Sequence, residues 1–268
     1  MTTGMEIMQS QQTSVQLSTY EDHAAILLSS ENGLNILSSS VMRDFHDVLD
    51  EIAGDSSIKV VSIRSSSAKA FTAGADIVEM EAKSTSEARG FSELGQSLVR
   101  KLERDLPPVI AVLRGYVLGG GLEIACGCDI RVASENAVFS QPEINIGVIP
   151  GWGGTQRLTR LVGPGKAAEI IYLGTRIDAY EALDAGLVNK VVPDDSLEDL
   201  TSKIIEKLCS MSRDSLLAAK RAIRCSVEAS YEAGFERERE EWASLFETPD
   251  QKEGMKAFLE RRKPEFTS

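Results

Sequence analysis

The chain has 268 residues, of which 42% are hydrophobic and 26% are charged, a balance that predicts a globular protein with one sizeable core, or with one core and a smaller appendage. This composition excludes a disordered, collagen-like or disulfide-stapled chain. The 29 Lys and Arg residues against 41 Asp and Glu residues give a net charge of −12, so like-charge repulsion disfavours nucleic acid as a partner but leaves room for a local pocket that binds an anionic small molecule.

The first predicted elements are a hairpin and an amphipathic helix. Alternating residues at 14–18, a turn at Glu21-Asp22 and the apolar run 24–28 predict two paired strands. The apolar spacing then becomes helical, which predicts a helix that begins at Leu34 and stops at Gly54. Its apolar stripe consists of Leu34, Leu37, Val41, Phe45, Val48, Leu49 and Ile52.

Short strands then alternate with helices. In chain order these are a strand at 60–63, a helix that carries the stripe 91–102, a strand at 109–113, a short helix after the glycines 119–121, and a strand at 130–133. Such alternation is typical of an α/β fold with parallel strand pairing.

The pattern changes near Asp195. From there to Phe258 the spacing is almost entirely helical, with many Glu, Lys, Arg and Ala residues. We place a boundary at Cys209, which gives a core of residues 1–208 and a helical region of residues 209–268. Because so short a helical region buries little apolar surface alone, we expect it to pack on the core or on another subunit.

Cysteine and histidine usage predicts a reducing compartment and no metal site. Four cysteines do not make a disulfide framework in a chain of this length. Cys126 and Cys128 have no second Cys or His cluster nearby, so we expect two buried thiols. His23 and His46 are the only histidines, which excludes a site with several His ligands.

The beginning of the sequence carries no targeting pattern. Its first Lys or Arg is Arg43, whereas a signal peptide needs an early basic stretch and a transit peptide needs arginines. No segment approaches the roughly 18 apolar residues of a membrane-spanning helix. We therefore predict a cytoplasmic protein that does not associate with membranes.

Three segments combine small residues with candidate catalytic groups. They are 70–77 (AFTAGADI), 115–123 (GYVLGGGLE) and 141–151 (QPEINIGVIPG). Small residues at strand-to-helix turns let a ligand approach backbone N–H groups, and two such turns can direct two donors at one oxygen, as in an oxyanion hole. Glu123 and Glu143 stand in apolar stretches, where burial raises a carboxyl pKa and favours proton exchange near neutral pH.

The same residues also fit purely structural roles. Glycine-rich turns are often only tight turns, and a Glu in the first turn of a helix often complements the helix dipole. The P-loop, nucleophile-elbow and zinc-protease motifs are absent from the sequence. Residues 163–166, Gly-Pro-Gly-Lys, lack the P-loop spacing and predict a turn that starts a helix.

The ordered set of motifs resembles the enoyl-CoA hydratase/isomerase (crotonase) superfamily over roughly residues 13–266. The resemblance implies a spiral of ββα units followed by a helical C-terminal region that forms trimers, which commonly pair into hexamers. It continues beyond the three segments through GWGGTQRLTRLVG at 151–163, GTRI at 174–177, ALDAGLV at 182–188 and EGMKAF at 253–258.

The resemblance also implies roles for individual residues. The N–H groups of Ala75 and Gly120 would hold the thioester oxygen of an acyl-CoA substrate. Glu123 and Glu143 match the two glutamates of the family's hydratases, whereas its isomerases usually keep one carboxylate. The implied reaction is the reversible hydration of a trans-2-enoyl-CoA by a water that both glutamates and the Gly151 N–H hold. It needs no metal or other cofactor, because coenzyme A is part of the substrate. The residues implied to lie against coenzyme A are Ala73, Gly74, Ala75, Asp76 and Ile77.

Some positions depart from the family. Val78 and residues 31–33 lack basic side chains that many relatives carry, so contacts to the CoA phosphates are missing there. Arg261 or Lys263 of a neighbouring subunit would be a substitute source of charge. Trp152 stands where relatives often have Ala or Phe, and two roles fit it: shortening the acyl pocket in favour of crotonyl-CoA or 3-hydroxypropionyl-CoA, or packing against the following helix.

Four alternatives to a short-chain hydratase stay open at this point. Two are a branched-acyl hydratase of the methylglutaconyl-CoA type and an enoyl-CoA isomerase that works mainly through Glu143. Some relatives bind AU-rich RNA, although the net charge of −12 argues against that activity here. A catalytically silent acyl-CoA-binding protein is the fourth, and it would not need both glutamates.

Overall fold

Ten strands and ten α-helices are present in residues 12–268, the part of the chain that this computed structural model describes. The strands are β1 Ser14–Tyr20, β2 His23–Ser29, β3 Val60–Ser65, β4 Ala70–Thr72, β5 Val109–Leu113, β6 Tyr116–Leu118, β7 Ile130–Ser134, β8 Val138–Ser140, β9 Ile177–Asp178 and β10 Lys190–Val192. The helices are α1 Ser39–Gly54, α2 Ile77–Glu81, α3 Thr85–Arg104, α4 Gly120–Gly127, α5 Gly154–Leu173, α6 Ala179–Asp184, α7 Leu197–Cys209, α8 Arg213–Glu228, α9 Tyr231–Ser244 and α10 Pro249–Glu260.

The strands form two sheets that the chain visits in turn. The larger sheet has the order β1-β2-β3-β5-β7-β10 and the smaller one β4-β6-β8-β9. All neighbouring pairs are parallel except β1–β2 and β8–β9. Three times the chain passes from the larger sheet to the smaller one and then into helix, through β3–β4, β5–β6 and β7–β8. The predicted spiral of ββα units is therefore confirmed.

Strand β5 shows how the larger sheet is buried on both faces. Val109, Ala111 and Leu113 belong to the main core. Ile110 and Val112 alternate with them and pack toward α7 on the opposite face. Because successive strand side chains point to opposite faces, a fully buried strand needs apolar residues at every position, as this one has.

The predicted first helix exists, but its predicted start at Leu34 is wrong. Helix α1 begins five residues later at Ser39, where the Ser38 hydroxyl accepts a hydrogen bond from a first-turn N–H group. Asn35 has a φ of 51°, which interrupts any helix that would begin before it. The apolar spacing of Leu34 and Leu37 fits the helical period only by coincidence.

Residues 34–37 instead hold the segment that follows β4. The N–H of Ala73 donates to the carbonyl of Leu34 at 2.8 Å, and the N–H of Leu37 donates to the carbonyl of Gly74 at 2.9 Å. Leu37 and Ala75 form an isolated parallel bridge. Backbone bonds of this kind keep a short glycine-containing segment in one conformation.

Helix α8 packs on the core through buried charges. The Lys220 ammonium lies 2.8 Å from the Asp129 carboxylate and donates to the carbonyl of Leu102 at 2.6 Å. Arg224 lies 3.2 Å from the Glu103 carboxylate. The division into a core and a helical region at residue 209 stays a prediction, with α8 making the contacts between the two parts.

Three smaller predictions concern single features. Cys126 and Cys128 are buried free thiols, as expected. Helix α5 bends at Gly163, whose φ of 78° precedes Pro164, so residues 163–166 do start a second helical stretch. None of the helices within residues 12–268 combines the length and the apolar character that a membrane span requires.

Candidate active site

The three motif segments lie at the ends of three adjacent strands of the smaller sheet. Strands β4, β6 and β8 are parallel neighbours in that order. Their last residues are Thr72, Leu118 and Ser140. Because parallel strands end at the same edge of a sheet, the segments beginning at residues 73, 119 and 141 emerge side by side. The sheet thus brings together parts of the chain that lie about 70 residues apart.

Two glycines allow the first two turns to touch. Gly74 has a φ of 101°, and a β-carbon on it would lie 3.0 Å from the carbonyl oxygen of Leu118 and 3.5 Å from the nitrogen of Gly120. Gly119 has a φ of 52°, and its N–H donates to the carbonyl of Ser140 at 3.0 Å. Positive φ and close backbone approach are the conditions that glycine satisfies without steric cost.

Two backbone N–H groups at this contact have no acceptor among the described residues. One belongs to Ala75, which follows Gly74, and the other belongs to Gly120, the first residue of α4. The first N–H groups of a helix lack an intrahelical partner and carry partial positive charge. The pair is therefore available to donate two hydrogen bonds to one external oxygen.

Glu123 lies in the first turn of α4 and is only 2% exposed. Its Oε1 accepts hydrogen bonds from the N–H of Trp152 at 2.7 Å and from the N–H of Gly154 at 2.6 Å. Both donors come from the glycine-rich turn that leads into α5. These bonds fix one carboxylate oxygen, and within residues 12–268 the other oxygen accepts no hydrogen bond.

Glu143 stands in a 3₁₀ turn, Pro142–Ile146, directly after β8. The side-chain amide of the fully buried Gln141 faces its carboxylate at 2.8 and 3.0 Å and donates to both oxygens. A β-carbon on Gly119 would lie 3.1 Å from Glu143 Oε1. The carboxylate therefore lies against the second turn, beside the free N–H of Gly120.

Both carboxyl groups have raised pKa values. Burial raises the pKa of Glu123 to about 7; the negative charge of Glu143 adds to this, while the N–H groups of Gly154 and Trp152 and the Arg157 charge oppose it. Burial raises the pKa of Glu143 to about 7 as well. A carboxyl group with a pKa near 7 takes up and releases protons at neutral pH, as general acid–base catalysis requires.

Gly151 and Trp152 lie in the loop that carries the donors to Glu123. The carbonyl of Gly151 accepts hydrogen bonds from Ser92 and Gln96 of α3, and its N–H has no acceptor among residues 12–268. The Trp152 indole is buried, with its ring centroid 5.6 Å from that of Phe91. It thus packs between α3 and the start of α4, and a role in limiting acyl length stays a prediction.

The segment expected to contact coenzyme A, residues 73–77, passes from the interior to the surface: Gly74 is buried, Ala73, Ala75 and Asp76 are half-buried, and Ile77 is exposed. Asp76 caps α2, since its Oδ1 accepts hydrogen bonds from the N–H groups of Val78 at 3.0 Å and Glu79 at 3.2 Å. Ile77 and Val78 are exposed apolar side chains. Within residues 12–268, no group of three or more His, Cys, Asp or Glu side chains is arranged to hold a metal ion.

Several residues that shape the two carboxylates are not predictable from the sequence alone. They are Gln141, which donates to Glu143, and Trp152 and Gly154, whose N–H groups donate to Glu123. The glycine-rich stretch before α5 was an available signal, since helix N-termini with small residues bind anionic groups. The residue to which such a turn donates is set by tertiary contacts alone.

Comparison with known proteins gives one consistent result. The family model described as Enoyl-CoA hydratase/isomerase matches residues 19–268. The chain is 42% identical to the short-chain-enoyl-CoA hydratase of Clostridium acetobutylicum, covering 90% of this chain and 93% of that protein. It is 40% identical to the crotonyl-CoA hydratase of Syntrophomonas wolfei, covering 92% and 95%. The crystal structure of an enoyl-CoA hydratase from Bacillus anthracis superposes with a TM-score of 0.89 at 36% identity, covering 96% and 99%.

Proposed function

The chain belongs to the enoyl-CoA hydratase/isomerase family, and from that premise we propose that it catalyses the reversible hydration of short-chain trans-2-enoyl-CoA thioesters. The observation that carries the proposal is a pair of carboxyl groups, the buried Glu123 and the half-buried Glu143, each with a pKa raised to about 7, beside two backbone N–H groups that have no acceptor within residues 12–268. An isomerase that relies on one carboxylate would not need the two backbone donors that hold Glu123.

The proposed mechanism begins at the thioester oxygen. The N–H groups of Ala75 and Gly120 donate to this oxygen and polarise the conjugated C=C bond, so that C3 becomes electrophilic. A water held by Glu123, Glu143 and the Gly151 N–H adds to C3. Negative charge that develops on the thioester oxygen is stabilised by the two N–H groups, and each such donor typically contributes roughly 3–4 kcal/mol in the transition state.

Each glutamate has one proton-transfer role. Glu123 accepts a proton from the attacking water, and Glu143 delivers a proton to C2. In the reverse direction, the same groups dehydrate a 3-hydroxyacyl-CoA. This scheme requires that Glu123 is a carboxylate while Glu143 is a carboxylic acid. Because two neighbouring negative charges repel and both pKa values lie near 7, the pair favours a state with one proton at neutral pH.

Two parts of the substrate are assigned by different arguments. The names of the two hydratases compared above support a short acyl group. Residues 73–77 are proposed to contact coenzyme A, which fits the exposure of the Ile77 side chain beside the free N–H of Ala75. The reaction as written consumes water and transfers only protons, so we propose that it needs no metal or redox cofactor.

A homotrimer, or a pair of trimers, is the proposed assembly. The C-terminal helices expose large apolar side chains in the single chain, which is unusual for a monomeric surface. The aromatic members of this set, which we call the tail aromatics, are Tyr231, Phe235, Trp242, Phe246 and Phe258. Burial of the tail aromatics against a second copy would remove this surface from water.

The test is a spectrophotometric assay with crotonyl-CoA near neutral pH, without added metal. We expect rapid loss of the conjugated enoyl-thioester absorbance, with 3-hydroxybutyryl-CoA as the product. A second assay with a trans-3-enoyl-CoA and the same protein preparation distinguishes a hydratase from an isomerase, because only an isomerase forms a conjugated product from this substrate. A folded protein that binds CoA esters but leaves crotonyl-CoA unchanged would overturn the proposal.

A further inference from the structure

Arg157 donates a hydrogen bond to the backbone of the turn whose N–H groups donate to Glu123. Arg157 Nη1 donates to the carbonyl of Trp152 at 3.0 Å, while the N–H of the same Trp152 donates to Glu123 Oε1 at 2.7 Å. Gly153 has a φ of 105°, and a β-carbon on it would overlap the Arg157 guanidinium. The guanidinium therefore lies directly on the backbone of the turn.

Glu103 of α3 fixes the guanidinium in turn. Arg157 Nε and Nη2 donate to the two carboxylate oxygens of Glu103 at 2.8 and 2.6 Å. Both side chains are largely buried, and Glu103 accepts a further hydrogen bond from Arg224 at 3.2 Å. A two-pronged Arg–carboxylate pair sets the plane of the guanidinium as well as its position. Nη1 is thereby aimed at the Trp152 carbonyl.

We propose that Arg157, fixed by Glu103, is a positioning residue that orients the Trp152 and Gly154 N–H groups toward Glu123. The proposal rests on the hydration reaction in which Glu123 is the base. Arg157 touches neither substrate nor reacting atoms in this scheme. It acts through the backbone of residues 152–154, whose direction determines where the Glu123 carboxylate points.

Arg157 also acts on Glu123 through its charge. The charged or titratable groups that face Glu123 are Glu143 from the 3₁₀ turn, Arg157 from α5 and the Cys126 thiol from α4, with Glu103 of α3 beyond Arg157. The positive charge of Arg157 lowers the pKa of Glu123, against the upward effects of burial and of Glu143. Loss of this charge therefore raises the pKa of the base.

The first experiment compares Arg157→Gln with Arg157→Lys. Arg157→Gln is expected to lower kcat for crotonyl-CoA hydration about tenfold or more, because misplacement of a catalytic group by about 1 Å costs up to roughly 100-fold. It should also move the acid limb of the kcat/KM profile to higher pH, since an uncharged side chain no longer lowers the pKa of Glu123. Arg157→Lys keeps the positive charge but cannot form the two-pronged pair with Glu103. We therefore expect kcat to fall while the acid limb of the pH profile moves little.

Two control variants separate positioning from stability. Arg160→Gln removes an exposed arginine of the same helix, whose one hydrogen bond within residues 12–268 goes to the Gln156 carbonyl, and should leave kcat and its pH profile unchanged. Lys220→Gln breaks the buried contact to Asp129 away from the turn. It should lower the melting temperature without moving the pH limb.

Chemical rescue covers the case in which Arg157→Gln folds poorly. Arg157 and Glu103 line a cavity of 740 Å³, through which a small cation reaches the vacated position in Arg157→Ala. Guanidinium chloride below its denaturing range should then restore part of kcat, whereas urea should not. Folded Arg157 variants with wild-type kcat and an unmoved acid limb would overturn the positioning role. A wild-type protein without hydratase activity would instead overturn the proposed function.

Discussion

Glu123 carries a carboxyl group on which opposing forces act. Two backbone N–H groups and the Arg157 guanidinium favour its charged form, while near-complete burial and the Glu143 charge favour the neutral form. Burial is the largest of these effects, so the pKa rises to about 7 although two N–H groups point at one oxygen. Near neutral pH a substantial fraction of Glu123 is therefore carboxylate, and this carboxylate is a stronger base than one whose pKa has the ordinary value.

Replacement of either glutamate by glutamine should abolish most of the turnover. We expect Glu123→Gln and Glu143→Gln each to lower kcat about 100-fold or more, since a positioned acid or base contributes roughly 10²–10⁴-fold. Glu135→Gln is the matched control, because Glu135 is exposed in the turn between β7 and β8. Circular dichroism should show the same fold in all three. Near-wild-type turnover in either site variant would refute the assigned proton-transfer roles.

The raised pKa of Glu123 also predicts how stability changes with pH. Between about pH 4.5 and pH 7 the folded state holds a proton on Glu123 that the unfolded state has released, so the free energy of unfolding falls as pH rises. Glu123→Gln removes this loss, which is on the order of 3 kcal/mol for such a shift. Urea unfolding at fixed protein concentration should therefore show that the free energy of unfolding of the variant, relative to that of wild type, rises from about pH 5 to pH 8. A difference that does not change with pH would contradict the prediction.

Helices α3 and α4 approach the site through glycines that face the Trp152 indole. A β-carbon on Gly95 of α3 or on Gly120 of α4 would overlap this ring. The indole therefore sets the spacing between the two helices and supports the turn that carries the free N–H of Gly120. Close packing leaves no room for a methyl group at either glycine without a shift of the ring.

Two glycines of α3 should respond in opposite ways to the same substitution. Gly95→Ala forces the Trp152 ring to move and is expected to cost about 1–3 kcal/mol of stability. Gly90→Ala is the matched control, because a β-carbon there has no atom within 4 Å. Removal of glycine flexibility from a helix should then stabilise the protein by about 0.5–1 kcal/mol. Thermal unfolding measures both, and equal effects would show that the indole does not constrain α3.

The whole molecule combines a net charge of −12 with an apolar surface on its last three helices. Phe258 of α10 is 82% exposed and Trp242 of α9 is 63% exposed. Exposed aromatic groups at this density support the proposal that a second copy of the chain packs on this surface. The cytoplasmic location and the absence of a nucleic-acid partner stay predictions that rest on the sequence.

A charge placed among the tail aromatics should prevent assembly. We expect wild type to have three or six times the mass of one chain in light scattering after gel filtration. Phe258→Asp should shift this toward a single chain, because burial of an unpaired carboxylate at an interface is costly. Lys252→Asp, which adds negative charge at an exposed position six residues earlier in the same helix, should not. A monomeric wild type would contradict the proposed trimer.

The sequence by itself determined which chemical groups the site contains and several of the secondary-structure elements. The two glutamates, the small residues at 73–75 and 119–121 and the continuous apolar run of the strand 109–113 are local patterns, and each follows from the chemistry or spacing of neighbouring residues. The resemblance of the ordered motifs added the spiral fold. The same local reasoning placed the start of α1 at Leu34, because apolar spacing does not reveal that the Asn35 backbone leaves the helical region.

Only the tertiary structure decided which parts meet. The order β4-β6-β8 puts three distant turns at one sheet edge, and the fold directs the Trp152 and Gly154 N–H groups at Glu123. The contact of Arg157 with Glu103 joins residues 54 positions apart. Strand neighbours and buried ion pairs depend on contacts between residues far apart in the chain, which sequence periodicity does not encode. The protonation behaviour of the site follows from these contacts, since burial and facing charges set each pKa.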